Sequence, residues 1–108
     1  MPSATKITTF GEHLRNLREC KNLTLKTVSE SIDVDISLLA KIERNERPPS
    51  KQIIKLIAGF FNCDESELKN NFLSDQIAYK IIDEEADLNI LKVAEQKVKY
   101  LKTIENGK

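Results

Sequence analysis

Three cations, Lys41, Arg44 and Arg47, fall within one helical turn and the loop behind it, in the segment LLAKIERNERPPS. Over all 108 residues the charge is balanced, 17 Lys and Arg against 17 Asp and Glu. Nucleic-acid modules usually carry a basic excess, so this balance counts against such a partner. The field a phosphate feels is local, though, and clustered guanidinium and ammonium groups suit phosphate oxygens. Two uncharged donors stand nearby: the backbone amide of Asn45, and Thr24 at the start of an earlier helix. The acidic surplus lies in the C-terminal third, at Asp83, Glu84, Glu85 and Asp87, and reads as a solvated helix end and turn.

Catalytic chemistry finds no comparable constellation. His13, the only histidine, stands among charged residues with no nucleophile at a partnering distance in sequence. The carboxylates suit helix surfaces and caps, and three glycines, Gly11, Gly59 and Gly107, cannot make a phosphate-cradling loop. Cys20 and Cys63 are far apart with no second ligand pair near either, so reduced, half-buried helix residues are expected rather than a disulfide or metal site. No enzyme activity, metal, cofactor or small-molecule ligand is expected. No apolar run approaches the roughly 18 to 20 residues of a membrane span. MPSATKITTF lacks the regions of a secretory signal, which makes Met1 to Thr8 a loose arm and the protein cytoplasmic.

The elements that position the cations lie between Leu23 and Ser50. Thr24 can cap a helix over Leu25 to Ile32 whose Val28 and Ile32, four apart, share an inward face. Asp33 interrupts the apolar spacing, Val34 turns inward, and Asp35 can cap a second helix from Ile36 to about Arg44 that buries Leu39 and Ile42. Ser29 and Ala40 are small where the two helices must approach. A pair of short helices joined this way is the unit that lays its second helix in the DNA major groove.

Further helices surround the pair. Phe10 to Lys21 buries Phe10, Leu14 and Leu17; a helix after Pro49, capped by Ser50, presents Ile53, Ile54, Ile57, Phe60 and Phe61; a short fifth, capped by Asp64, turns Leu68 and Phe72 inward. No β-alternation appears, so the expected fold is all-α: a five-helix domain over residues 9–73, followed by a helical hairpin over 74–108. In the hairpin, Ser74 to Ile82 reads as a sixth helix with Ile77 and Ile81 on one side. Asp87 can cap a seventh, running toward Thr103, along which Leu91, Ala94, Val98 and Leu101 alternate three and four apart, as in a coiled-coil seam. That face either packs back on its own domain or pairs with a second copy; dimerisation is expected, because a complete small domain already precedes it.

From Phe10 to Leu68 the chain resembles the phage-repressor type of helix-turn-helix domain, the Cro/cI or XRE family. FGEHLRNLRE, VSESIDVDISLLAKIERNERPPS and IIKLIAGFFNCDESEL carry the likeness, with residue type and spacing agreeing across five helices. At four places where relatives usually have glycine stand Asn22, Asp33, Asn45 and Asn62, the non-glycine types that enter the left-handed region most readily. Leu25 takes the place of a phosphate-binding Gln, and its side chain cannot donate. The resemblance implies a transcriptional regulator, a repressor by expectation, of the controller or phage kind, that binds double-stranded DNA as a homodimer. It implies base reading by Ile36, Ser37, Ala40 and Lys41, with Lys41 suited to guanine and Ile36 to a thymine methyl. Phosphates would be held by Thr24, Arg44, Asn45 and Arg47. It also implies a partly buried ion pair between Arg18 and Glu43, while the apolar faces of the hairpin put the expected dimer interface at Ile77, Ile81, Leu91, Ala94, Val98 and Leu101. Ile36 and Leu38 suit helix packing as well, and Arg44 suits plain solvation. An antitoxin or scaffold that uses the same fold to hold a protein partner is the competing reading.

Overall fold

A computed structural model describes residues 7–106, so most of the expected N-terminal arm, Met1 to Lys6, lies outside the described residues. Six helices and no strand occur among them: α1 (Phe10–Cys20), α2 (Leu25–Ile32), α3 (Ile36–Glu43), α4 (Lys51–Phe61), α5 (Glu65–Asp83) and α6 (Ile90–Asn106). The expected all-α class is what the chain adopts.

Local chemistry starts and stops each of the first four helices. Thr9, Thr24, Asp35 and Ser50 each accept a backbone N–H from the first turn beyond them, and Thr9 forms a capping box with Glu12. Asn22, Asp33, Asn45 and Asn62 all have positive φ, 55° to 61°, at the helix ends. There the chain must turn left-handed so that the following amides can close the last carbonyls. After α3, for instance, the Glu46 amide donates to the Lys41 carbonyl at 2.8 Å and the Asn45 amide to Ile42 at 3.0 Å.

The buried core is built from α1 to α4 and the start of α5: Phe10, Leu14, Val28, Ile32, Leu39, Ile42, Ile54, Ile57, Ala58, Phe61 and Leu68. Phe72 adds an edge-on ring contact to Phe10, centroids 5.8 Å apart. The chain divides into two compact units, one ending at Asp75 and the other beginning at Gln76. In the second, α6 has no buried residue.

Two sequence expectations need correction. The short fifth helix and the separate sixth from Ser74 are one 19-residue helix, α5. Ser74 lies inside that helix, where its hydroxyl donates back to the Asn71 carbonyl at 2.8 Å, a bond a helix interior accommodates. With no glycine or proline nearby, nothing stops the helix until Glu85, which takes positive φ (52°) and lets the Ala86 amide reach the Ile81 carbonyl at 2.9 Å. The cysteines also differ from expectation: Cys20 is exposed, and Cys63 lies beyond the end of α4, half-buried, its thiol pKa pushed up by burial.

Candidate nucleic-acid interface

The turn between α2 and α3 is held from both ends. Asp33 is left-handed, the Val34 amide donates to the Ser29 carbonyl at 2.9 Å, and Asp35 accepts the Leu38 amide at 3.1 Å. Ser29, buried between the helices, returns its hydroxyl to the Lys26 carbonyl at 2.9 Å. With Leu39 and Ile42 fully buried, α3 has only one way to face.

At about 100° per residue, Ile36, Ser37, Ala40 and Lys41 fall on an arc of roughly 140° opposite that buried side. Ser37 and Lys41 are exposed, Ile36 is 43% exposed and Ala40 is half-buried. Leu38 is half-buried against the core, so it packs rather than reads. Hydroxyl, ammonium and methyl groups on one accessible helical face can meet base edges in a major groove.

What fixes this helix is a buried ion pair. Arg18 on α1 donates through Nε to Glu43 Oε2 at 2.7 Å and through Nη2 to Oε1 at 2.9 Å, while Nη1 reaches the Leu23 carbonyl at 2.9 Å. The two side chains are only 13% and 6% exposed. Hydrogen bonding to Glu43 raises the Arg18 pKa above its ordinary value, against the opposing pull of burial. One guanidinium thereby ties α1, the approach to α2 and the end of α3 together. Glu43 is an orienting acid, turned away from the exposed face.

Asn45 has a different job from the one expected. Its amide already donates to Ile42, so it is not available to a phosphate. Its side chain instead accepts the Gly11 amide at 3.0 Å and donates to the Thr9 hydroxyl at 2.9 Å, joining the loop after α3 to the start of α1. The contact is close enough to exclude any side chain at Gly11, where a Cβ would overlap the Glu43 carbonyl and lie 2.6 Å from Asn45 Oδ1. Thr24 is committed as well: its hydroxyl accepts the Thr27 amide at 3.0 Å and donates to the Thr27 hydroxyl at 2.9 Å.

Of the cations, Lys41 and Arg47 are exposed and make no side-chain hydrogen bond or ion pair with a described residue. Arg44 is exposed too, but it holds Glu46 in a two-point pair, Nε to Oε2 at 2.9 Å and Nη2 to Oε1 at 3.1 Å. That hydrogen bonding raises the Arg44 pKa and lowers that of Glu46, so both stay charged at neutral pH. Nothing in the pattern of charges flagged Glu46, because its partner is two residues away in an irregular loop.

A model of the helix-turn-helix family matches residues 14–68. The chain belongs to the XRE-type helix-turn-helix family. It is a DNA-binding transcriptional regulator. It is similar to YazB of Bacillus subtilis (strain 168), an uncharacterized HTH-type transcriptional regulator, with 32% identity over 59 residues, 55% of this chain and 86% of the relative.

Beyond residue 68 the regulator presents the six residues expected at a dimer interface. Ile77 and Ile81 stand one turn apart on α5, the first exposed and the second half-buried. Leu91, Ala94, Val98 and Leu101 share an arc of about 80° on α6, and all four are exposed. Among the described residues no group of His, Cys, Asp and Glu is placed to hold a metal ion. Nor is any helix among them long and apolar enough to cross a membrane.

Proposed function

We propose that this regulator is a cytoplasmic repressor that binds an inverted-repeat operator as a homodimer. Residues 9–73 form its DNA-binding domain and 74–108 its dimerisation extension. The observation that carries the reading is the accessible face of α3, with Ile36, Ser37, Ala40 and Lys41 turned outward while Arg18 and Glu43 lock the helix from behind. Lys41 reads guanine N7 and O6, Ser37 bonds neighbouring edges and Ile36 meets a thymine methyl. Arg44 and Arg47 hold phosphates and set the register. A second copy covers the apolar stripe on α6, and the two copies of α3 then enter the major groove about one helical turn, or a multiple of it, apart.

Selection of sites from a random duplex pool tests this. Wild type should enrich an inverted repeat, and Lys41→Ala should relax one or two base pairs in each half-site by about 1 to 3 kcal/mol per pair. Identical motifs from the two proteins would remove Lys41 as a reader. A second reading, an antitoxin or scaffold that grips a protein partner, draws on the zero net charge and the exposed apolar residues of α6. It takes over if wild type enriches no motif.

A further inference from the structure

The acid that pairs with Arg44 sits where an anion would be least expected, beside the two cations nearest the exposed face of α3. We infer that Glu46 is a resident competitor for DNA phosphate, a specificity-determining residue that keeps Arg44 occupied until a correctly placed phosphate displaces it.

Three features of the geometry support this. The pair is fork-to-fork, both carboxylate oxygens meeting guanidinium nitrogens at 2.9 and 3.1 Å, which is the arrangement a phosphate would use on the same side chain. The backbone that carries the carboxylate is anchored beside Arg44, since the Glu46 amide closes the end of α3 on the Lys41 carbonyl at 2.8 Å. Both side chains are more than half exposed, so the pair can open without dismantling any packing. Lys41 lies close enough for its charge to help keep Glu46 ionised.

The consequence differs between DNA sequences. At a matched half-site, base contacts hold one phosphate at a fixed place beside Arg44, and the intramolecular pair yields to it. On unmatched duplex no phosphate has a preferred register, and the guanidinium stays with Glu46, 2.9 Å away. Phosphate binding is otherwise the sequence-independent part of affinity. Masking one phosphate ligand therefore trims loose binding more than matched binding and widens the gap between them.

The inference rests on the DNA-binding reading, and the test separates the two. Affinities for the selected site and for random duplex are measured across a salt series with wild type, Glu46→Gln, Arg44→Ala and the double variant. Glu46→Gln should tighten random-duplex binding by up to about fivefold per half-site, the upper end of what an exposed ion pair is worth, and tighten the selected site by less. The salt slope on random duplex should steepen by about 0.9 for each phosphate gained. In the Arg44→Ala background the same change should have little effect, because no guanidinium remains to be released. Unchanged random-duplex affinity in Glu46→Gln, with wild type still preferring its site, overturns the masking role and leaves the function standing. An equal gain in the Arg44→Ala background overturns it too, reducing Glu46 to general repulsion. Absence of DNA binding in every variant overturns the function itself.

Discussion

The two units handle apolar side chains in opposite ways. In the unit that ends at Asp75, α1 to α4 turn Phe10, Leu14, Val28, Leu39, Ile42 and Ile57 inward until almost nothing of them meets water. In the unit that begins at Gln76, α6 also carries apolar residues along one side but buries none of them. Eleven of the fourteen exposed large hydrophobics among the described residues lie from Ile77 onward. Helices of this length draw most of their stability from packing an apolar face rather than from intrinsic propensity. The first unit contains its own packing, whereas α6 of the second leaves its apolar side chains exposed. Under the proposed function a second copy covers them.

The largest effect should come from attacking that difference directly. Leu91→Glu with Val98→Glu places four charges in the interface of a dimer. At about 1.5 to 3 kcal/mol per buried side chain, assembly should weaken by about 6 kcal/mol or more. Light scattering should then report a monomer, while the unfolding midpoint of the N-terminal unit stays put. A wild type that is monomeric at micromolar concentration would end the comparison, since the second unit would then stand with its apolar face uncovered.

Arg18→Ala should come next and should act only on the first unit. It leaves Glu43, 6% exposed, without its cation, and removing one member of a buried pair costs about 3 to 5 kcal/mol. Urea denaturation followed by circular dichroism measures it, and an unchanged midpoint would mean the pair contributes nothing. The smallest effect compares like with like at two helix ends. Glu85 and Asn62 both stand at positive φ, 52° and 56°. Asparagine enters that region at less cost than glutamate, so Glu85→Gly should stabilise by about 1 kcal/mol and Asn62→Gly by only a few tenths. Equal gains would show that residue type is irrelevant at these turns.

The first unit was legible wherever short-range chemistry decides. Thr24, Asp35 and Ser50 read as caps because each precedes an apolar-periodic run, and they cap. Asn22, Asp33, Asn45 and Asn62 read as left-handed turns because they stand where the resembled family carries glycine, and all four have positive φ. The all-α class followed from the same periodicity. Ser74 shows the limit: a new helix is expected to begin there, but its hydroxyl donates to the Asn71 carbonyl inside one continuous helix, and apolar spacing does not distinguish the two. At the candidate interface, α3 and its exposed face could be placed in advance, but the commitments of individual donors could not. The Asn45 amide and the Arg44 guanidinium both looked available. Their partners are the Ile42 carbonyl in the last turn of α3 and the Glu46 carboxylate in the irregular loop after it, three and two residues away, where the helical period no longer applies. Asp75 was beyond reach altogether: it accepts the Phe10 amide at 2.7 Å from 65 residues downstream.

That last bond belongs to a set: the amides of the opening turn of α1 find their partners at very different separations along the chain. Four amides there would be orphans in an isolated helix. Thr9 and Glu12 satisfy each other within three residues; Gly11 waits for Asn45 across 34 residues, and Phe10 for Asp75 across 65. Closing the longer loop costs only about 0.6 kcal/mol more than the shorter. It nevertheless requires α5 to have arrived. In pulse-labelled hydrogen exchange during refolding, Glu12 should gain protection first, Gly11 with the docking of α3, and Phe10 last. During synthesis the Phe10 amide must stay open until Asp75 has left the ribosome, so a single N-terminal turn keeps time for the rest of the domain.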